Sequence, residues 1–356
     1  MILVLSIFLS TLHRNRKHLL VVIMKLKKTL KTSSEMELKL DILEIFTSVQ
    51  LHFSIDNIAI KQLTGGTSNT IYLVNSQDSE SDEKFLFRIY GDGSEMFIDR
   101  GEEIENMKIL SEHGLGAKLV AEFENGICYN YIDGRSIYNS DVISHNIYPL
   151  VATKMAQMHK IPVKIKQNVL WSRMKNFIDL VPEFQNKDDS YWLKCKQDLV
   201  VEYNFLKSLL EDCGSPLVFC HMDLNLPNIL FDGHQVHFID VEYAGCSYAA
   251  FDIANHFVEF VGFEDTLDYV RWYPNRKYQI SWLEHYLTAI SGQEAADIGE
   301  VEAVFDLVQQ FVLCSHLLWG SWALVQAKHS SIDFDFMGFS QQRFREYARM
   351  KSIVIK

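Results

Sequence analysis

The middle of the chain carries polar residues whose types and spacing could support phosphoryl transfer. Asn228 and Asp240 offer an amide oxygen and a carboxylate, which are hard ligands suited to magnesium. Asp223 lies one short loop upstream and could orient an attacking hydroxyl and accept its proton, a role separate from that of the metal. Each residue alone would more often cap a turn, but the ordered set with His221 is far more specific. We therefore expect these residues to form a phosphotransfer site.

A predicted β-hairpin brings this set together. The apolar runs 229–231 and 236–239 flank an Asp-Gly pair, which indicates two antiparallel strands joined by a short connection. When the last residue of the first run pairs with the first residue of the second, Asn228 falls almost opposite Asp240. Pro227 stiffens the loop that leads into the hairpin. The hairpin would thus hold both candidate metal ligands at its open end.

Hydrophobic patterns divide the chain into a strand-rich part and a helical part. Residues 57–132 have strand-like runs, interrupted by a helical pattern over 102–113 that Gly114 would end. Beyond Gly134 helical patterns dominate, around one strand-rich insert. The insert lies at 217–243, and the longest helical patterns lie at 199–210, 278–290 and 303–328. This order predicts an α+β fold with a small β-rich lobe followed by a larger, mainly helical lobe.

The predicted lobes follow an N-terminal extension. We expect a poorly ordered extension at 1–36, an N-terminal nucleotide-binding lobe at 37–133 and a C-terminal catalytic and substrate lobe at 134–356. The extension starts with a strongly apolar run and a basic stretch follows, the reverse of the order in a signal peptide. Because the run is too short to cross a bilayer as a helix, we expect no stable membrane span. Membrane contact by the extension, and a translation start at Met24 or Met36, stay open.

Composition narrows the class of protein. Apolar residues make up 48% of the chain and charged residues 22%, which is typical of a globular protein. The formal net charge of -12 disfavours general nucleic-acid binding, which needs a basic surface. An acidic protein could instead attract a cationic substrate. The scattered cysteines show neither zinc-ligand nor redox spacing, so we expect reduced thiols and a cytoplasmic location. The oligomeric state stays open.

The motifs resemble a known family. The pattern His-x-Asp-x-x-x-x-Asn followed by a hairpin and Asp is similar to the protein kinase-like superfamily, in its small-molecule kinase branch. The stretch 238–260 is similar to the choline/ethanolamine kinase family. The resemblance runs from about Leu63 to Met350, and 319–336 most resembles the ethanolamine-using members. It implies a bilobal protein kinase-like fold that uses ATP and Mg²⁺.

The resemblance assigns roles to matching residues of the central segment. Asp223 would be the catalytic carboxylate, His221 would brace its loop, and Asp252 would support that loop from the following helix. Asn228 and Asp240 would hold magnesium. Met222 departs from the family's pattern, in which a small or polar residue is usual, and this puts the packing of the loop in doubt rather than its chemistry.

A second group of residues would bind the nucleotide. The glycine-rich turn after a predicted strand resembles the family's phosphate-covering loop, although an ordinary hairpin turn would look the same. Arg88 would take the place of the kinase lysine and pair with a helical glutamate, either Glu103 or its neighbour Glu102. The full predicted set is Gly65, Gly66, Thr67, Ser68, Asn69, Arg88, Glu103 and Ile132, the last in the connection between the lobes.

A third group would bind the alcohol. An amino alcohol is a cation at neutral pH, so its site should offer carboxylates and aromatic faces. Trp319 and Trp322 are neighbours on one predicted helix face, where core packing is the alternative interpretation. Phe339 lacks the hydroxyl expected in choline-using members. The predicted substrate residues are Glu242, Tyr243, Asn255, Glu259, Trp319, Trp322 and Phe334.

The sequence as a whole predicts an ethanolamine kinase. Ethanolamine has N–H donors, which the carboxylates and the amide of this set could satisfy, whereas choline has none. The reaction would give phosphoethanolamine and ADP, the first step of phosphatidylethanolamine synthesis. Three alternatives stay open: a choline kinase, a catalytically weak kinase-like binding protein, and an antibiotic phosphotransferase of the same fold. Turnover on ethanolamine and on choline would separate them.

Overall fold

A computed structural model describes residues 24–63, 69–77, 83–91, 99–163, 167–185, 193–263, 266–330 and 332–355. The chain divides into two compact units. Unit 1 comprises the described residues of Met1–Gly91 and Leu119–Tyr131, and unit 2 those of Asp92–Lys118 and Ile132–Lys356. Unit 1 is built on a β-sheet and unit 2 is mostly helical, as the α+β prediction requires.

The described part of unit 1 is a six-stranded sheet packed against one helix. Its strands are β1 (Met24–Leu26), β2 (Ile58–Leu63), β3 (Asn69–Ser76), β4 (Lys84–Tyr90), β5 (Leu119–Phe123) and β6 (Gly126–Asn130), and its helix is α1 (Glu35–Ser48). The order across the sheet is β1-β5-β6-β4-β3-β2. Buried and partly exposed residues alternate along β5, so one face of the strand meets the core.

Aromatic residues join α1 to the sheet. The ring of Phe46 in α1 lies 5.0 Å from that of Phe85 and 5.3 Å from that of Phe87, both edge to face. Such pairs stabilise a core beyond the area that they bury. Ser34 begins the helix by accepting a hydrogen bond from the backbone N–H of Glu37.

Part of the predicted extension is structured. Met24–Leu26, inside the predicted segment 1–36, forms β1 and pairs in parallel with β5. Leu30 is 4% exposed and belongs to the core of unit 1. The backbone N–H of Leu30 donates to the side chain of Asn125 at 2.9 Å. Hydropathy alone could not predict this strand, because β1 is short and its partner β5 lies far along the chain.

Unit 2 contains ten α-helices among its described residues, with five short strands. The helices are α2 (Arg100–Glu112), α3 (Asn139–Val142), α4 (Tyr148–His159), α5 (Val169–Leu180), α6 (Lys196–Leu210), α7 (Ala249–Val258), α8 (Tyr269–Trp272), α9 (Arg276–Ser291), α10 (Ile298–His329) and α11 (Phe336–Val354). The strands are β7 (Arg135–Ser136), β8 (Leu217–Cys220), β9 (Ile229–Phe231), β10 (Val236–Phe238) and β11 (Gly245–Tyr248).

The predicted hairpin is confirmed in its register. Val236 in β10 pairs with Phe231 in β9 in antiparallel orientation. The backbone N–H of Ile239 donates to the carbonyl of Asn228 at 3.0 Å, which holds the open end of the hairpin together. Asn228 therefore lies opposite Ile239 and next to Asp240, as the sequence predicts.

Helix α2 falls in unit 2, although the sequence places 102–113 inside the predicted N-terminal lobe. Its Asn106 is buried and donates from Nδ2 to the backbone carbonyl of Ala244 at 2.8 Å. The predicted stop is correct, since Gly114 has φ +69°. The helical pattern therefore predicts the helix itself. Its placement in unit 2 depends on a contact between residues that are far apart in the sequence.

Helix α10 is the long central helix of unit 2. It has 32 residues and is long and apolar enough to cross a bilayer, but 61% of that apolar stretch is buried inside the fold. A core helix has the same length and composition. Helix α11 packs along α10, which carries Trp319 and Trp322.

Candidate active site

The segment between β8 and β9, residues 221–228, is here called the catalytic loop. Its second residue, Met222, has φ +70°, and Asp240 after the hairpin has φ +61°. Such left-handed conformations are unfavourable for residues with a side chain and persist only where the surroundings impose them. Met222 is also 1% exposed. The residue that departs from the family's pattern is therefore both buried and strained.

Asp252 in the first turn of α7 holds the start of the catalytic loop. It accepts hydrogen bonds from the backbone N–H groups of His221 at 2.9 Å and Met222 at 2.7 Å. Burial opposes ionisation of Asp252, but the bond from His159 and the nearby histidines outweigh it, so its pKa lies below its ordinary value. His159 lies 3.0 Å from Asp252 through Nε2 and 2.8 Å from the Tyr286 hydroxyl through Nδ1. The predicted support role of Asp252 thus has a direct geometric basis.

The last turns of α7 hold the loop's carbonyl groups. Asn255 donates from Nδ2 to the carbonyl of Met222 at 3.2 Å. His256 donates from Nδ1 to the carbonyl of Leu224 at 3.0 Å. Burial lowers the pKa of His256 to about 4, so the ring stays neutral near pH 7. One helix therefore binds both N–H groups and carbonyl groups of the loop backbone. The sequence does not predict His256 as a site residue.

Asp223 lies at the centre of this arrangement. Asn225 donates to both of its carboxylate oxygens at 3.3 Å. Burial, followed by the negative charges of Glu259, Asp240 and Glu242, raises the pKa of Asp223 well above its usual range. A raised pKa is typical of a carboxylate that takes up a proton during catalysis. The ring of His221 donates to the Ile239 carbonyl at 2.9 Å and so links the loop to the end of the hairpin, while its bracing role stays a prediction.

Oxygen ligands for a divalent metal surround the hairpin's open end. Asn228 donates from Nδ2 to the backbone carbonyl of Asp223 at 2.9 Å, so Oδ1 is the atom that could bind a metal. Carboxylate oxygens of Glu103, Asp240 and Glu242 lie within 4.8 Å of one another. Carboxylate and amide oxygens are hard donors, and sets made only of oxygen ligands suit Mg²⁺. The residues therefore fit the predicted magnesium ion.

Aromatic side chains form one wall beside these carboxylates. The ring of Trp319 lies 5.2 Å from that of Tyr243 and 5.8 Å from that of Trp322, both edge to face. Burial raises the pKa of the Tyr243 hydroxyl well above its ordinary value, so it stays protonated. Phe334 stacks on Phe263, with ring centroids 4.2 Å apart. Both predicted tryptophans thus share a surface with Tyr243.

Three predicted polar substrate residues have partners within the protein itself. Glu259 follows directly after α7, is 7% exposed, and accepts a hydrogen bond from Arg343 at 2.9 Å. Asn255 is fully buried, and its Oδ1 accepts hydrogen bonds from Ser315 and from the Trp319 indole, both at 2.8 Å. Glu242 lies 3.9 Å from Arg100. Asn255 is therefore a framework residue in this structure, and substrate contact by Glu242 and Glu259 stays a prediction.

The predicted nucleotide residues are only partly described. Gly65, Gly66, Thr67 and Ser68 lie outside the described residues. Asn69 begins β3, where it pairs with Tyr90. Arg88 in β4 is 5% exposed, and its guanidinium carbon lies 6.0 Å from the centre of the Tyr129 ring.

The predicted pairing of Arg88 stays a prediction. Glu103 belongs to unit 2, where it is fully buried and accepts a hydrogen bond from Arg100 at 3.0 Å. Ile132 is the first residue of unit 2 after Tyr131 of unit 1. Glu102 is exposed and lies 3.6 Å from Arg173, so Glu103 is the better candidate of the two for a buried role.

A β-sheet unit, a helical unit, and a braced Asp loop followed by a hairpin that carries the predicted metal ligands define a protein kinase-like phosphotransferase. The solved structure of an ethanolamine kinase from Plasmodium vivax agrees with this class. It matches with a TM-score of 0.75 and 25% identity, covering 88% of this chain and 89% of that chain.

Sequence comparison gives the family. The choline/ethanolamine kinase model matches residues 60–348. The chain is 36% identical to ethanolamine kinase 1 of Homo sapiens, over 92% of this chain and 75% of that protein. It is also 36% identical to ethanolamine kinase 1 of Mus musculus, over 92% of this chain and 93% of that protein. The chain therefore belongs to the choline/ethanolamine kinase family.

Proposed function

We propose that this protein transfers the terminal phosphoryl group of ATP to the hydroxyl of ethanolamine, giving phosphoethanolamine and ADP. The observation that carries the proposal is Asp223, braced by α7 and set among carboxylates beside an aromatic wall. The names of the similar proteins point to the same substrate. A cytoplasmic location and a place at the start of phosphatidylethanolamine synthesis are part of the proposal.

Asp223 is the group that acts on the alcohol. Its carboxylate accepts the hydrogen bond of the ethanolamine hydroxyl and orients the oxygen toward the phosphorus. As the new O–P bond forms and the bond to ADP breaks, the hydroxyl proton passes to Asp223. The raised pKa of Asp223 favours this transfer, because its carboxylate is a stronger base than an exposed one.

Asn228 and Asp240 are the residues that would hold the magnesium ion. When bound, the ion would neutralise charge on the phosphate oxygens of ATP. The hairpin positions both ligands by its register, and the hydrogen bond from Asn228 to the Asp223 carbonyl links the metal ligands to the catalytic carboxylate. Glu103 and Glu242 lie close enough to Asp240 to add charge to the site.

The balance of carboxylates and aromatic faces favours ethanolamine over choline. Trp319, Trp322 and Tyr243 offer ring faces and edges that suit either cation. Glu242 and Glu259 add acceptors, which only an ammonium group with N–H donors can use. Hydrogen bonds from the ethanolamine ammonium to these carboxylates would be charge-assisted, and the trimethylated cation could not form them.

Purified protein with ATP and Mg²⁺ would test the proposal. We expect a higher kcat/KM for ethanolamine than for choline, with the mono- and dimethylated amines between them, and loss of turnover when a chelator removes the metal. A clear preference for choline would overturn the substrate assignment. Phosphorylation of neither alcohol would instead favour a kinase-like binding protein.

A further inference from the structure

A fully buried arginine lies behind the proposed alcohol pocket. Arg343 projects from α11, a helix that carries none of the predicted catalytic, metal or nucleotide residues. It donates from Nη1 to Glu259 at 2.9 Å and from Nη2 to the Ser315 hydroxyl at 3.0 Å. The guanidinium carbon also lies 5.7 Å from the centre of the Phe339 ring.

The chemistry of these groups fixes the direction of each hydrogen bond. Arginine only donates, so the Ser315 oxygen accepts from Arg343 and its single proton points to Asn255. The indole N–H of Trp319 also only donates, so the atom of Asn255 that both residues contact is Oδ1. The amide nitrogen of Asn255 must then face the carbonyl of Met222.

One connected network therefore spans the pocket and the catalytic loop. Its first branch runs from Arg343 to the Glu259 carboxylate. Its second branch runs through Ser315 to Asn255. Asn255 accepts a hydrogen bond from the Trp319 indole and donates one to the carbonyl of the strained Met222, the residue before Asp223. Arg343, Ser315 and Asn255 are all 0% exposed, so solvent cannot replace a lost bond.

The network also balances charge. A buried carboxylate is stable only when it is paired, and Arg343 supplies that partner for Glu259. Arginine suits the task because its planar fork serves the carboxylate and the hydroxyl at once, which the single ammonium of lysine cannot do in the same geometry.

We propose that Arg343 is a positioning residue for alcohol recognition: it sets the Glu259 carboxylate and, through Ser315 and Asn255, the Trp319 ring and the Met222 carbonyl. The inference rests on the proposed function, because it assumes that the pocket holds the amino alcohol. Arg343 itself touches neither substrate, and ATP binding does not depend on it.

Kinetic constants for each substrate would test this role. We expect Arg343→Met to raise the KM for ethanolamine at least about tenfold while the KM for ATP changes less than about twofold. Arg343→Lys keeps the charge beside Glu259 and should restore part of the loss. Arg349→Met is the matched control, since Arg349 lies on the same helix but its side chain is 53% exposed.

Ser315→Ala keeps the test decisive if Arg343→Met does not fold. It leaves the Arg343–Glu259 pair intact and removes only the Ser315 hydroxyl that links Arg343 to Asn255. We therefore expect about a threefold rise in the KM for ethanolamine. Mere structural damage would lower the active fraction, and hence the apparent kcat, without changing either KM. Thermal melting of each variant would measure that damage independently.

The outcomes separate the two proposals. If the wild type phosphorylates the alcohol and the Arg343 and Ser315 variants keep its KM at the value of the Arg349 control, the positioning role is overturned and the proposed function stands. If the wild type phosphorylates neither ethanolamine nor choline, the proposed function fails and this inference fails with it.

Discussion

Asp223 combines a catalytic advantage with a cost to stability. Burial and the charges of Glu259, Asp240 and Glu242 raise its pKa well above the usual range. The folded pKa therefore exceeds the unfolded one, so the contribution of Asp223 to stability is present below the unfolded pKa and is lost as pH rises. At neutral pH its carboxylate opposes folding of the nucleotide-free protein.

Asp223→Asn separates the two effects. The amide cannot accept the hydroxyl proton, so we expect turnover to fall by at least about a hundredfold. The melting temperature of the nucleotide-free protein should rise, because the substitution removes a carboxylate that its surroundings disfavour. Steady-state turnover and thermal melting measure both. Turnover close to that of the wild type would remove Asp223 from the mechanism.

Asp232→Asn is the matched control for stability. The hairpin turn lowers the pKa of Asp232 through backbone N–H groups of Gln235 and His234 and through the His237 side chain. The sign is the reverse of that at Asp223, so Asp232→Asn should lower the melting temperature. A rise in both variants would contradict the charge argument.

The sequence could identify the residues that carry chemistry and, through the family resemblance, His221 and Asp252 as residues that support them. It could not identify His256 or Arg343. Asp223, Asn228 and Asp240 form an ordered motif whose register is local, and so the pattern predicts it. His256 and Arg343 act through contacts with residues 32 and 84 positions away. A buried histidine or arginine has the same sequence signal as one packed without function. Only the fold shows what each side chain meets.

Among the elements, α7 makes several of the side-chain hydrogen bonds that hold the backbone of the catalytic loop. Its neutral His256 donates to the Leu224 carbonyl, and protonation would add a charge in a fully buried place. Because burial lowers the pKa of His256 to about 4, its contribution to stability is present above the unfolded pKa near 6.5 and is lost as pH falls through 4. The full contribution is about 3 kcal/mol.

His256→Asn tests this pH dependence. Asparagine keeps an N–H donor for the Leu224 carbonyl but does not titrate. We expect the free energy of unfolding, from urea titrations, to fall less steeply between pH 6.5 and 4 in the variant than in the wild type. Burial also lowers the pKa values of His221 and His316, so some slope should remain. Identical slopes would show that His256 does not titrate during unfolding.

The packing of α10 against α11 depends on one glycine. A Cβ atom on Gly320 would lie 2.4 Å from Cε1 of Phe344, which is 1% exposed and has no room to move. We expect Gly320→Ala to cost at least about 2 kcal/mol, although alanine favours helices. Gly299→Ala on the same helix is the matched control, since a Cβ there meets only the Asp297 side chain at 3.1 Å. Equal unfolding free energies would contradict this.

The elements differ in how far sequence predicts them. The hairpin register and the end of α2 just before Gly114 depend on neighbours close in the chain, and both predictions are correct. Strand β1 depends on β5, which begins at Leu119, and the pattern of a short run near the N-terminus could not reveal that partner. The placement of α2 in unit 2 likewise needs a long-range contact, between Asn106 and the Ala244 carbonyl.

At the scale of the whole chain, residues 24–34, the described part of the segment before α1, belong to the fold of unit 1. Lys28 pairs with Asp41 at 2.7 Å, and the pKa of Lys28 is raised chiefly by that bond. Leu30 fills the core, while its backbone exchanges hydrogen bonds with the Asn125 side chain. The segment therefore joins the helix to the turn between β5 and β6.

Two truncations would measure what this segment contributes. A chain that begins at Met24 keeps every contact described here, whereas one that begins at Met36 loses β1, Lys28 and Leu30. Burying a leucine alone is worth about 2 kcal/mol, so we expect the shorter chain to unfold at least that much more easily in urea. It also leaves Asp41, 8% exposed, without its lysine. Equal stability of the two chains would mean that β1 and Leu30 pack no better in the folded protein than in the unfolded chain.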